Sequence, residues 1–160
     1  MFQFSNTIPD IHFLTAGSSE GRTGLNSFDG ALLDAGIGDT NLIKMSSILP
    51  PHSKEVEPFK APAGSFLPVA YASITSGEPD MFISAAVAIA IPTDRSKNGV
   101  IMEYSNMSHL EMVENRVREM AKEAMEMRGI SDFTISSKGI ETQVKNIATC
   151  FAAVVLHNSK

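Results

Sequence analysis

The sequence predicts a single α+β domain in which strands outnumber helices and the two kinds are mixed along the chain. Three observations carry this. Only residues 108–128 hold a long run at helical period, with Leu110, Val113, Val117, Met120, Ala121, Ala124 and Met127 near one face. The other apolar segments are short and bounded by glycine, proline or polar clusters. Their order does not alternate strand and helix regularly, which favours an α+β sandwich over a doubly wound parallel sheet. A length of 160 residues fits one domain with a real core.

In chain order, residues 11–16 are apolar and read as a strand. They run into Gly17-Ser18-Ser19-Glu20-Gly21, which reads as a turn-rich loop. Residues 26–36 then read as a short helix, with Asn26 or Ser27 as its cap and Gly36 at its C-terminal end. A strand over 41–45 leads into Ser46-Ser47-Ile48-Leu49-Pro50-Pro51. The stretch 50–68 has prolines at 50, 51, 58, 62 and 68, so it is expected to be extended or looped. Residues 69–75 and 81–91 read as strands. The second is rich in alanine (Ala85, Ala86, Ala88, Ala90), which suggests close packing on both faces and leaves helix as a competitor. Residues 99–104 are a further strand. The helix over 108–128 opens on a capping-box pattern, Ser108 and Glu111, carries Glu114 and Arg118 as an i,i+4 pair, and ends at Gly129. A short strand over 133–136 and a final one over 148–157 complete the chain.

Composition narrows the function classes. The hydrophobic fraction is 43% and the formal net charge is −5, with no Lys/Arg block, so a nucleic-acid partner is not expected. The apolar run 81–91 is too short to span a bilayer, which takes about 20 residues as helix. The N-terminal Met-Phe-Gln-Phe-Ser lacks the features of a signal peptide. A single cysteine, Cys150, leaves no internal disulfide and fits a reducing, cytoplasmic compartment. His12, His52, His109 and His157 are scattered without paired spacing, so no metal is expected.

Two motifs invite a chemical reading and lose it. Gly17-Ser18-Ser19-Glu20-Gly21 matches the G-x-S-x-G of a nucleophile elbow. That motif needs a helix directly after it, and Arg22-Thr23-Gly24 is a poor helix start. A loop presenting backbone N–H groups is the better reading. Gly36-Ile37-Gly38 lacks the third glycine of a dinucleotide fingerprint and reads as a turn. Cys150 reads as a buried, inert strand residue. From spacing alone, Ser46-Ser47 is a polar strand end before a Pro-Pro turn.

Larger blocks say more. Gly17–Gly21, Leu25-Asn-Ser-Phe-Asp-Gly-Ala-Leu-Leu-Asp-Ala-Gly-Ile-Gly38, Asn41-Leu-Ile-Lys-Met-Ser-Ser-Ile-Leu-Pro-Pro51 and Gly99-Val-Ile-Met-Glu-Tyr104 resemble pyruvoyl-dependent arginine decarboxylases. Arg118-Glu-Met-Ala-Lys122, Met127-Arg-Gly129 and Cys150-Phe-Ala-Ala153 are similar too, so the resemblance spans almost the whole chain in order. It implies a four-layer αββα sandwich and a proenzyme that cuts itself between Ser46 and Ser47, giving a β chain of residues 1–46 and an α chain of residues 47–160. The Ser47 hydroxyl would attack the preceding carbonyl to form an ester. Elimination would free the Ser46 carboxylate, and hydrolysis would leave a pyruvoyl group at the new N-terminus. Such a carbonyl condenses with an amino-acid amine and acts as an electron sink for decarboxylation.

By the same resemblance, Glu103 donates the proton to Cα, Asp29 binds the substrate guanidinium, and Asn41 lies beside the pyruvoyl group. The assembly implied is a trimer, or a hexamer of paired trimers, with active sites between subunits. The expected reaction takes L-arginine to agmatine and CO₂, with no nucleic-acid or membrane partner. The alternatives are the same chemistry on another amino acid, or an uncleaved, non-catalytic oligomeric binding protein. A serine hydrolase centred on Ser19 is a third class.

Overall fold

The computed structural model describes residues 8–159. The N-terminal Met-Phe-Gln-Phe-Ser, read above for a leader, lies outside them. Two helices and nine strands follow in the order β1 (Ile11–Glu20), α1 (Gly24–Asp34), β2 (Asn41–Lys44), β3 (Ile48–Leu49), β4 (Lys54–Glu55), β5 (Phe66–Ser76), β6 (Phe82–Pro92), β7 (Gly99–Asn106), α2 (Leu110–Glu126), β8 (Phe133–Gln143) and β9 (Ala148–His157). The chain is therefore α+β, as expected. One sheet has the order β2-β5-β9-β1-β4 and the other β3-β7-β6-β8. Among the described residues, no helix is long and apolar enough to cross a membrane.

Alternation along the strands explains how the layers meet. In β9, Cys150, Ala152, Val154 and Leu156 join Ile83, Ala85, Val87, Ile89 and Ile101 of the second sheet in one core cluster. The intervening Phe151, Ala153 and Val155 join Ala31 and Leu32 of α1 in another. The same parity splits β6. Ala85, Val87 and Ile89 face the first sheet, while Ala86, Ala88 and Ala90 pack with Val113, Val117 and Ala121 of α2. This settles the helix-or-strand ambiguity of the alanine-rich run. It is a central strand buried on both faces, and small residues on one face let α2 lie close.

Several boundaries and caps differ from expectation. The cap of α1 is Thr23, whose hydroxyl accepts from the Asn26 N–H (3.1 Å), so neither Asn26 nor Ser27 is the cap. At its other end Gly36 has φ +80°, and the Ile37 N–H returns to the Leu32 carbonyl (3.0 Å), as expected of a glycine-terminated helix. The Ser108/Glu111 capping box does not form. Helix α2 is capped at His109 without a side-chain bond to the helix from that residue, and the Leu110 N–H donates to Glu141 on β8 (2.6 Å). Glu114 and Arg118 do not pair directly. The Ser137 hydroxyl accepts from Arg118 (2.9 Å) and donates to Glu114 (2.7 Å), which ties α2 to β8. Met125 is buried in place of Met127, which is 80% exposed.

Strand β8 continues to Gln143, past the expected end at 136. Gly139, inside this extension, answers a close approach. A Cβ there would lie 2.7 Å from the Ala86 Cβ and from the Leu110 side chain. Strand β5 starts at Phe66, so Pro68 lies inside it. The parallel partner β2 reaches Pro68, while pairing with β9 begins only at Val69, so the proline nitrogen lies outside that ladder.

Candidate active site

The two sheets exchange the chain at Ser47. Upstream, β2 runs parallel to β5, and the Met45 N–H donates to the Val69 carbonyl (2.8 Å). Downstream, β3 runs antiparallel to β7, and the Ser47 carbonyl accepts from the Ile101 N–H (2.9 Å). The Ser46–Ser47 peptide bridges the two sheets at a bend and belongs to neither. On the edge of the second sheet, the Ile48 N–H donates back to the Ser46 carbonyl (2.9 Å).

The same strand that holds the Ser47 carbonyl presents Glu103. Ile101 lies in the core, and Glu103, two residues on, is half-buried and accepts from the Ser47 hydroxyl (3.2 Å). Burial raises the Glu103 pKa above the usual carboxylate range. The Ser47 hydrogen bond and the charge of Lys44 pull it partly back. The Lys44 ammonium sits 4.5 Å from the centroid of the Tyr71 ring. Lys44, Tyr71 and the two backbone donors Ile48 and Ile101 were not singled out in the sequence. For Lys44 the available signal was a cation two residues before the serine pair. For the two N–H groups there was none, because every residue but proline carries one.

Ser47 and Glu103 are thus brought together within one chain, and the other two named residues are not. The Asn41 side chain donates to the Gly64 carbonyl (3.0 Å), and its N–H to Ser65 (2.8 Å). Asp29 lies exposed on α1, and its side chain makes no hydrogen bond or ion pair among the described residues. Helix α1 packs on β1, β9 and β5 of the first sheet, whereas Glu103 stands on β7 of the second.

The elbow reading of Ser19 fails. Residues 17–20 are not a loop. They lie inside β1, and Ser19 is in register with Thr149 of β9. The helix after them starts at Gly24, because Thr23 caps it. Gly17 serves packing: a Cβ there would lie 2.3 Å from the Ala31 carbonyl of α1. Burial pushes the Cys150 thiol up to about 12, in keeping with the inert role expected of it.

Comparison with known proteins decides the family. The pattern of pyruvoyl-dependent arginine decarboxylases matches residues 11–160. The chain belongs to the pyruvoyl-dependent arginine decarboxylase family. It is 48% identical over 149 residues to the pyruvoyl-dependent arginine decarboxylase of Methanocaldococcus jannaschii, covering 93% of this chain and 90% of that protein. The namesake protein of Methanococcus aeolicus is 47% identical over 148 residues, covering 92% and 90%. That of Thermococcus kodakarensis is 40% identical over 153 residues, covering 94% and 96%. As the family's name states, its chemistry depends on a pyruvoyl group.

Proposed function

We propose that this chain cuts itself between Ser46 and Ser47 and then decarboxylates L-arginine to agmatine and CO₂ in the cytoplasm. The observation that carries this is the Ser47 hydroxyl on the Glu103 carboxylate, at a peptide bond isolated between two sheets. The residues present suit the formation of a pyruvoyl group. Attack by the Ser47 oxygen on the Ser46 carbonyl carbon breaks the peptide C–N bond and leaves an ester. Loss of the Ser47 α-proton expels the Ser46 carboxylate. Water then releases ammonia and leaves residues 47–160 ending in pyruvoyl. When formed, the group supplies an electron sink for the pair left behind by CO₂.

Around it each residue has one task. The Ile101 N–H, which holds the Ser47 carbonyl, and β3, paired to β7, would fix its position. Glu103 gives a proton to the substrate Cα, and its burial raises its pKa and so favours the protonated form. Asp29 receives the guanidinium through two parallel hydrogen bonds. Asn41, which does not lie beside Ser47 in its own chain, would orient polar groups next to the Ser47 of a neighbouring subunit.

Asp29 and Glu103 stand on elements of different layers, which supports a site shared between neighbouring subunits of a trimer or hexamer. Exposed apolar residues flanking the serine pair also favour a covering partner: Met45 is 37% and Ile48 41% exposed. The alternation along β9 and β6 supports a four-layer αββα sandwich.

The test is intact mass followed by an agmatine assay. Fragments of about 5 and about 12 kDa are expected, scaling the 17.2 kDa chain by length. An intact chain without activity would leave an oligomeric binding protein. Cleavage without agmatine would point to another amino acid as substrate.

A further inference from the structure

The peptide bond that would break has a backbone donor already placed on its oxygen. Strand β3 is the edge of the second sheet, and its Ile48 stands opposite Val100 of β7. In an antiparallel pair the ladder bonds alternate in closely and widely spaced sets. Here the bond beside this pair runs from the Ile101 N–H to the Ser47 carbonyl. The Ile48 N–H therefore faces away from β7. The bend at Ser47 returns the Ser46 carbonyl to it at 2.9 Å, a three-residue turn with an i→i+2 bond.

We propose that the Ile48 N–H is the oxyanion donor of self-cleavage, a role that rests on the self-processing reading above. When the Ser47 oxygen bonds to the Ser46 carbonyl carbon, its proton passes to Glu103 and the carbonyl electron pair moves onto the Ser46 oxygen. That oxygen is the atom the Ile48 N–H touches. When the pair returns, the C–N bond breaks, the nitrogen of residue 47 takes the proton, and an ester remains. A hydrogen bond to the charged oxygen is about twice as strong as one to a neutral carbonyl. The donor therefore favours the transition state over the resting peptide.

The geometry serves the attack in a second way. Met45 is held by the first sheet and Ser47 by the second, so both ends of the reacting unit are pinned. The short turn holds the Ser46 carbonyl oxygen within hydrogen-bond reach of its donor. No reorganisation of solvent is needed to stabilise the charge when it forms.

The test replaces Ile48 by its α-hydroxy acid, which keeps the side chain, makes the 47–48 linkage an ester and removes only the N–H. The rate at which the 1–46 fragment appears should fall about 10²- to 10³-fold. Mass distinguishes this fragment from a 1–47 fragment made by hydrolysis of the new ester. Cleavage as fast as in the unsubstituted chain would overturn the proposal. Equal slowing by the same ester at Leu49 would also overturn it, because the effect would then belong to the strand. If the unsubstituted chain never cleaves, the self-processing reading itself fails.

A second readout does not need cleavage. In an uncleavable Ser47→Ala chain with an isotope-labelled Ser46 carbonyl, the ester at Ile48 should raise the carbonyl stretching frequency. An unchanged frequency would mean that the bond is absent, and the proposal falls.

Discussion

His12 is fully buried in β1, yet it can carry charge. Its Nδ1 pairs with the Ser53 hydroxyl at 2.8 Å, and its Nε2 has no partner among the described residues. Burial, with Arg95 nearby, lowers its pKa from 6.5 to about 4. Between those values the unfolded chain binds a proton that the folded chain refuses. Stability is then full above pH 6.5 and is lost as the pH falls toward 4, by roughly 3 kcal/mol. Urea midpoints measured across that range should show the decline, and His12→Phe should flatten it while lowering stability at neutral pH. A slope unchanged in the variant would assign the acid sensitivity elsewhere. At Glu103, cleavage and turnover should separate. The amide of Glu103→Gln cannot take the Ser47 proton but still accepts its hydrogen bond, so cleavage is expected to slow without vanishing. The amide cannot pass a proton to Cα, so agmatine formation by the cleaved fraction should fall about 10²- to 10⁴-fold. Near-normal turnover in that fraction would make Glu103 a structural carboxylate. Ser47→Ala should stay one chain and form no agmatine, as read by mass and assay.

Among the elements, seven of the nine strands and the long helix were legible because hydrophobic period is local, whereas the two-residue strands β3 and β4 are too short to show one. Residues 110–126 show their apolar face in sequence, and residues 148–157 show a continuous buried run. What was not legible depends on partners distant in the chain. Glu141 satisfies the first turn of α2 from 31 residues away, so the local capping box was a false lead. Ser137 separates Glu114 from Arg118 for the same reason. Gly139 shows its reason only once α2 and β6 are seen crowding it. This yields a test of the extended β8: Gly139→Ala should lower the unfolding free energy by about 1–3 kcal/mol through overpacking. A midpoint unchanged in denaturant would mean that the strand has room at that point. The serine pair was legible through resemblance alone, since its exceptional feature is the change of sheet.

For the molecule as a whole, the shared-site reading makes a prediction that no single chain can satisfy. Asp29→Ala and Glu103→Gln should each be inactive alone. Co-expressed in equal amounts so that they assemble as mixed trimers, they should regain activity, because about one site in four would pair an intact Asp29 with an intact Glu103. No recovery in mixed trimers confirmed by mass would place both residues in one subunit. Sedimentation should show at least a trimer. A further consequence follows from the place of β1, which lies between β9 and β4 in the first sheet and belongs to the segment before Ser47. Once the chain is cut, two polypeptides share one sheet, and neither can complete it alone. Folding before the cut is a first-order event. After it, recovery from denaturant is a bimolecular encounter between fragments, slower on dilution and losing to aggregation. The mature protein should therefore be far harder to renature than its precursor, although the two share nearly every contact.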